Sequence, residues 1–347
     1  MDTIDRRLAL GQDAFLWACG LDVAVRKPGN VSRASPGHGM TADTFIASAR
    51  AAAGPLFERG RPVGERIEAA VAASWAAAGC NTNLGIVLLC APLAAALERV
   101  PEGEPVGGEQ RRGNGVDGVR ANDEGFIDGT ALRAAVSAVV AALDVADARA
   151  AYRGIALANP GGLGRAQTQD VAEGPTIDLR AAMTLAAGRD SIARQYAHAY
   201  ADIFDCGIAA LQPRKGAPRR VAATVQAVFL SFLAGWPDSH IVRKLGSAAA
   251  QTVTGDAALW LARVGADGAA GDSAAFAAWD EGLKAAGINP GTSADLTVCT
   301  LFAAALASPS MIGREASESW HGSCVHPVGT GPVPASGSGG VPFGVPG

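Results

Sequence analysis

The stretch Gly79-Cys80-Asn81-Thr82-Asn83-Leu84-Gly85 sets a sharp corner between two apolar-periodic segments. Upstream, Ile67, Val71 and Trp75 recur every fourth residue; downstream, residues 86–97 are almost entirely apolar. This spacing predicts a helix over 62–78 that ends near Gly79 and a second over 83–99, with Thr82 or Asn83 as its N-cap. The first amides of the second helix are unpaired donors at the positive end of a helix dipole. The corner is therefore either a plain capped turn or a ready-made anion site.

The same helical period recurs along the chain, over about 8–25, 41–53, 130–149, 178–204, 221–232, 246–263, 272–286 and 289–307. The clearest stripe is Leu132, Val136, Val139, Val140 and Leu143. Hydrophobic residues reach 49% while aromatics are only 5%, and the excess is alanine, which favours helices over sheets. We expect an all-α protein, a single multi-helix domain of about ten helices over 1–312. Residues 101–129, rich in Gly, Pro and charge, read as a mobile insertion, and the Gly/Pro/Ser-rich end, 313–347, as a disordered tail.

A formal net charge of -4 gives no global basic field for nucleic acid, so an anionic ligand must be met by a local cluster. The six cysteines are scattered without a CxxC pair, as expected of buried thiols in a reducing compartment. The residues after Met1 lack the order of a signal peptide, and the apolar runs are too short for a bilayer. The expectation is a cytoplasmic protein without a membrane or nucleic-acid partner.

No Ser-His-Asp order, HExxH or deaminase signature is present. Asn159-Pro160-Gly161-Gly162-Leu163-Gly164 lacks the Lys-Ser/Thr ending of a Walker A loop and the spacing of a dinucleotide fingerprint. His321, Cys324 and His326 in the tail are read as an accidental grouping, not a metal site. What recurs is the helix-capping corner with polar or charged residues: 27–40, 79–85, 159–170, 189–190, 238–244 and 290–295. If these converge, they join cations and helix starts for phosphates with Asp43, Asp190, Asp238 and Asp295 as candidate Mg²⁺ ligands or bases. Each has a bland reading: solvated Lys27 and Arg33, dipole-stabilising Asp190 and Asp295, structural His38 and His240.

Taken in order, Lys27-Pro28-Gly29 with His38-Gly39-Met40, Asn81-Thr82 with Gly85-Ile86, Arg189-Asp190-Ser191-Ile192-Ala193, and Pro290-Gly291-Thr292-Ser293-Ala294-Asp295-Leu296 resemble the triphosphoribosyl-dephospho-coenzyme A synthase family. The resemblance implies an all-helical transferase that uses ATP with Mg²⁺. A hydroxyl of dephospho-coenzyme A displaces adenine from the ribose, giving a prosthetic-group precursor. It implies nucleotide contacts by Lys27, Gly29, Asn30, Arg33, Asn81, Thr82, Asn83, Gly85, Arg243, Lys244 and Ser293. Asp190, Asp295 and His38 are the implied catalytic groups, and a homodimer is an allowed assembly. The chain departs from the family where Gly37-His38-Gly39-Met40 lacks the acid before Met, and where Asn83-Leu84 replaces His-Lys. It therefore reads as a divergent member. Alternatives are a paralogous ATP-dependent step in another coenzyme pathway, such as that of a one-carbon carrier in methylotrophs, a Mg²⁺-dependent helical hydrolase of a ribosyl or phosphoester bond, and a non-catalytic binding protein.

Overall fold

The computed structural model describes residues 1–101, 127–161, 164, 168–212, 220–266 and 270–307. Most of the expected insertion, and the tail with His321, Cys324 and His326, lie outside the described residues.

Within these residues the secondary structure is helical. In order come α1 (Thr3–Ala24), α2 (Ala42–Leu56), α3 (Val63–Ala78), α4 (Leu84–Ala96), α5 (Gly129–Ala141), α6 (Val145–Ala158), α7 (Leu179–Ala186) and α8 (Ser191–Ala197). A π turn at Ile203–Gly207 leads into the single turn α9 (Ile208–Ala210), followed by α10 (Val221–Gly235), α11 (Ser239–Leu245), α12 (Ser247–Ala266), α13 (Ala274–Ala285) and α14 (Gly291–Ala307). The all-α expectation holds, but there are fourteen helices among the described residues where about ten were expected. Three of the four additional helices start at aspartates, and the fourth, α9, is the single turn after the π turn. Asp144 and Asp147 form a reciprocal capping box that breaks the expected 130–149 helix, and α6 leaves α5 at 94°. Asp190 starts α8 inside the expected 178–204 helix, and Asp238 starts α11. The insertion also ends earlier than expected. Ile127 is buried, donates its N–H to Leu306 O at 3.3 Å, and precedes Asp128, the N-cap of α5.

Helices α4 and α14 are apolar on nearly every face, which places them inside the bundle. Helix α14 packs against α1, α4 and α10 and also touches α8 and α11. Phe15 of α1, Phe57 after α2 and Phe302 of α14 meet as a ring trio with centroids 5.8–6.2 Å apart. Burying each contributes roughly 1.5–3 kcal/mol. Tyr196 and Tyr200 are fully buried and donate to Leu88 O (2.6 Å) and Leu89 O (2.8 Å), which fixes the α8 segment on α4. A second cluster, including Phe229, Leu233, Ile241 and Phe276, seats α11 and α13 on α10. The starts of α4, α8, α11 and α14 are thereby held together. Among the described residues no single helix is long and apolar enough to cross a membrane.

Candidate active site

The opening corner folds as its sequence dictates at Gly79, which ends α3 in the left-handed conformation (φ 67°). The N-cap of α4 is Asn83, one of the two residues expected there, but the side-chain bonds of the corner are made by its neighbours. The Thr82 hydroxyl donates to Ser48 Oγ on α2 (2.6 Å), and Asn81 Oδ1 instead accepts the Leu84 N–H at 3.3 Å. Asn83 makes no capping bond from its N-cap position, and its buried Nδ2 has no partner among the described residues. Gly85 is required by contact. A Cβ there would lie 2.0 Å from Asp295 Oδ2 and 2.8 Å from Ile192 Cδ1, so the start of α4 abuts both α14 and α8. We predict that Gly85→Ala displaces the Asp295 carboxyl and lowers kcat/KM by about 10²-fold, although Ala favours the helix. Steady-state rates together with a melting curve check this; unchanged kinetics would separate Asp295 from the chemistry.

Three aspartates meet here, and two are already engaged. Asp190 Oδ1 accepts from Ile192 N (2.9 Å) and Ala193 N (3.0 Å), while Oδ2 pairs with Arg243 at 2.6 Å. Asp238 Oδ1 accepts from His240 N (2.9 Å) and Ile241 N (3.2 Å), and Oδ2 accepts from Ser293 N (2.7 Å) and Oγ (2.8 Å). Burial pushes the Asp238 carboxyl up against the pull of these bonds. Asp295 has no hydrogen bond or ion pair among the described residues. Burial, then the charges of Asp22, Asp238 and Asp190, raise its carboxyl well above the ordinary value, and Arg243 opposes them. The buried Nε of Arg243 is also without a partner among the described residues.

Of the other expected metal ligands, Asp43 is exposed in the first turn of α2 and bonds to none of these three. Among the described residues no group of three or more His, Cys, Asp or Glu could hold a metal ion.

The 26–40 loop closes one side. Lys27, expected on a phosphate, is fully buried, with its ammonium on the Asp22 carbonyl and 3.1 Å from the Asp22 carboxylate. Gly29 (φ 80°) leaves no room for a Cβ, which would meet Pro290 Cδ at 2.7 Å; its N–H goes to Asp280 Oδ1 at 2.8 Å. Asn30 Nδ2 bonds Asn289 Oδ1 (3.0 Å), and His38 Nε2 bonds Gly29 O (2.8 Å). Arg33 is exposed, its backbone N–H bonded to Val23 O at 2.7 Å. Lys244 is exposed on α11 and lies against Gly161, where a Cβ would be 3.1 Å from its Cε. Corners 27–40, 79–85, 190, 238–244 and 290–295 thus form one continuous region. Asp22, Ser48 and Asp280 were not singled out from sequence. The available signals were faint: an acid five residues before Lys27, and the Asp280/Lys284 pair one helical turn apart. A separate cavity of about 280 Å³, lined by Arg61, Arg66, Glu98 and Arg99 among others, shares no residue with these corners.

A family model described as CitG, ATP:dephospho-CoA triphosphoribosyl transferase, matches residues 9–313. A crystal structure described as a "putative triphosphoribosyl-dephospho-coA synthase from Archaeoglobus fulgidus" is similar at 22% identity and a TM-score of 0.54, covering 76% of this chain and 99% of that one. At that identity the likeness speaks for the fold. No curated protein matches the chain.

Proposed function

The chain belongs to the CitG family of ATP:dephospho-CoA triphosphoribosyl transferases, and from that premise we propose that the transfer takes place where α4, α8, α11 and α14 begin, with Asp295 as the proton-accepting group. The observation that carries this is the contrast among three neighbouring acids. Asp190 and Asp238 are saturated by caps and partners, whereas Asp295 is unbonded and has raised proton affinity. A carboxyl of raised proton affinity is the better base near neutral pH. In the reaction the bond from C1′ of the ribose to adenine breaks and a bond to the acceptor oxygen forms. The proton lost by the acceptor hydroxyl to Asp295 balances the one gained by the departing adenine.

The unpartnered Nε of Arg243, the free Nδ2 of Asn83 and the first amides of α4 are donors for the triphosphate. Leu84 is buried where the resemblance implies a cation, and Arg243, whose charge acts on Asp295 beside Gly85, takes over that duty in this reading. Lys27 is assigned instead to holding Asp22. The residues do not fit a protein-held Mg²⁺, because Asp190 and Asp238 are engaged and Asp43 stands apart; an ion arriving with ATP belongs to the substrate. This arrangement also weakens the hydrolase alternative, which needs several aspartates free for metal.

The direct test incubates the protein with Mg-ATP and dephospho-CoA and follows free adenine by chromatography and the acceptor by mass spectrometry. Equimolar adenine and triphosphoribosylated acceptor are expected. ADP, AMP or pyrophosphate without adenine would overturn the reading, and adenine release only with a different hydroxyl acceptor would favour the paralogous pathway.

A further inference from the structure

We propose that the Asp22 carboxylate accepts the 2′-hydroxyl of the ATP ribose, so that Asp22 and Asp295 together address the face of the sugar opposite adenine. The placement follows from how α1 and α14 pack. They run antiparallel: Phe15 of α1 meets Phe302 of α14 with ring centroids 6.2 Å apart, and Asn30, beyond the end of α1, bonds Asn289 just before the start of α14. Seven residues on from Phe15 stands Asp22, and seven back from Phe302 stands Asp295. Seven residues make almost two whole turns, so each aspartate lies on the same helix face as its phenylalanine, about 10 Å along the interface. The two carboxyls therefore face each other. The charges agree with this register: Asp22 is foremost among those acting on Asp295, and both acids act on Cys19, one turn before Asp22.

Asp22 also has a bond to spare. Its side chain is 5% exposed, and Oδ1, although 3.1 Å from the Lys27 ammonium, accepts no hydrogen bond among the described residues. The ammonium donates to the Asp22 main-chain carbonyl instead. A buried carboxylate oxygen without a donor is costly and uncommon, and an incoming hydroxyl removes the cost. Asn83 Nδ2 and Arg243 Nε are orphaned at the same corner, but both are donors, suited to phosphate. Asp22 is the acceptor of the three, so it takes a ligand group that carries a proton. Asp295 is only partly buried, and Gly85 beside its Oδ2 has no side chain to fill the gap. A ligand therefore reaches the pair from the Asp295 side.

The choice of hydroxyl rests on the transferase reading. In a β-ribonucleoside adenine projects from one face of the sugar and the 2′- and 3′-hydroxyls from the other. An acceptor that displaces adenine directly enters on the hydroxyl face, where Asp295 takes its proton. A second carboxylate facing Asp295 then meets the hydroxyl next to C1′, which is the 2′-hydroxyl. Such a bond strengthens as the sugar gains oxocarbenium character.

Calorimetric titration with Mg-ATP, Mg-2′-deoxy-ATP and Mg-3′-deoxy-ATP tests the contact without turnover. The parent should bind ATP about tenfold more tightly than 2′-deoxy-ATP and within about twofold of 3′-deoxy-ATP. Asp22→Asn should shrink the first ratio to about threefold, since a neutral amide oxygen accepts more weakly. Asp22→Leu combined with Lys27→Met exchanges the buried pair for apolar groups of similar size and should abolish it. In turnover, the loss of kcat in Asp22→Asn should be about tenfold greater with ATP than with 2′-deoxy-ATP, which has no bond there to lose. A parent that binds ATP and 2′-deoxy-ATP alike overturns the proposal, and that comparison needs no variant to fold. A preference that survives in both variants, or one directed at the 3′-hydroxyl alone, overturns it too. The outcomes also separate the two proposals. Asp22-dependent selection of the 2′-hydroxyl without adenine release leaves the contact standing and removes the transferase chemistry. Adenine release from a protein indifferent to the 2′-hydroxyl does the reverse.

Discussion

Asp295→Asn is expected to lower kcat by about 10²–10⁴-fold and, at neutral pH, to make the protein harder to unfold. Both effects come from one feature, a carboxyl set among Asp22, Asp190 and Asp238 without a hydrogen bond of its own. The sign of the stability change follows from proton binding. In the unfolded chain the group titrates near its ordinary value of 3.8, and in the folded protein it titrates well above that. Below the ordinary value both states carry the proton and the site costs nothing. As pH rises, the unfolded chain releases the proton first and gains on the folded one, until the folded carboxyl also ionises and the penalty levels off. Asparagine never ionises, so the variant escapes the penalty. Its melting temperature should match the parent at about pH 3 and exceed it at pH 7 and above. A residue that merely held the fold would behave in the opposite way, losing stability at neutral pH. Less than a tenfold loss of kcat would exclude Asp295 as the proton acceptor.

The sequence made the helical class and the corners legible because both are local properties. The four-residue spacing of Ile67, Val71 and Trp75, and glycine at 79, depend on neighbours in the chain alone. The aspartates were harder to read for the same reason. Asp190 and Asp238 look like Asp295 in sequence, each opening or lying near a helix start. Only the tertiary arrangement shows that Ser293 and Arg243 occupy the first two and leave the third free. Lys27 shows the same limit. A cation in a glycine-rich loop suggests phosphate, yet it turns inward to Asp22 of the preceding helix. Its partner was hidden because an acid within the stretch read as helix does not announce that it faces the core. Gly85 was visible as a glycine at a helix start, but its reason, the carboxyl of a residue 210 positions later, was not.

The other large effect concerns what holds the 26–40 loop beside the site. Asp280→Ala should destabilise the protein by about 3–5 kcal/mol, because it leaves buried cationic and amide donors without an acceptor. The Asp280 side chain is 0% exposed and receives Gly29 N (2.8 Å), Arg26 (2.6 Å) and Lys284 (2.9 Å). Glu281, its neighbour, offers the internal control. It also meets Arg26, at 3.4 Å, but its side chain is 61% exposed. Water screens that pair, so Glu281→Ala should cost no more than about 1 kcal/mol even though it also frees Ser35. Burial, not the number of charged contacts, separates the two. Denaturant midpoints at constant slope measure the difference. The loop should loosen together with the loss in stability, since Gly29 carries His38 on its carbonyl and abuts Pro290 at the entry to α14. Asp280→Asn keeps an acceptor for Gly29 N and should fall between the two variants. Equal losses from Asp280→Ala and Glu281→Ala would mean that the buried carboxylate is not what fixes the loop.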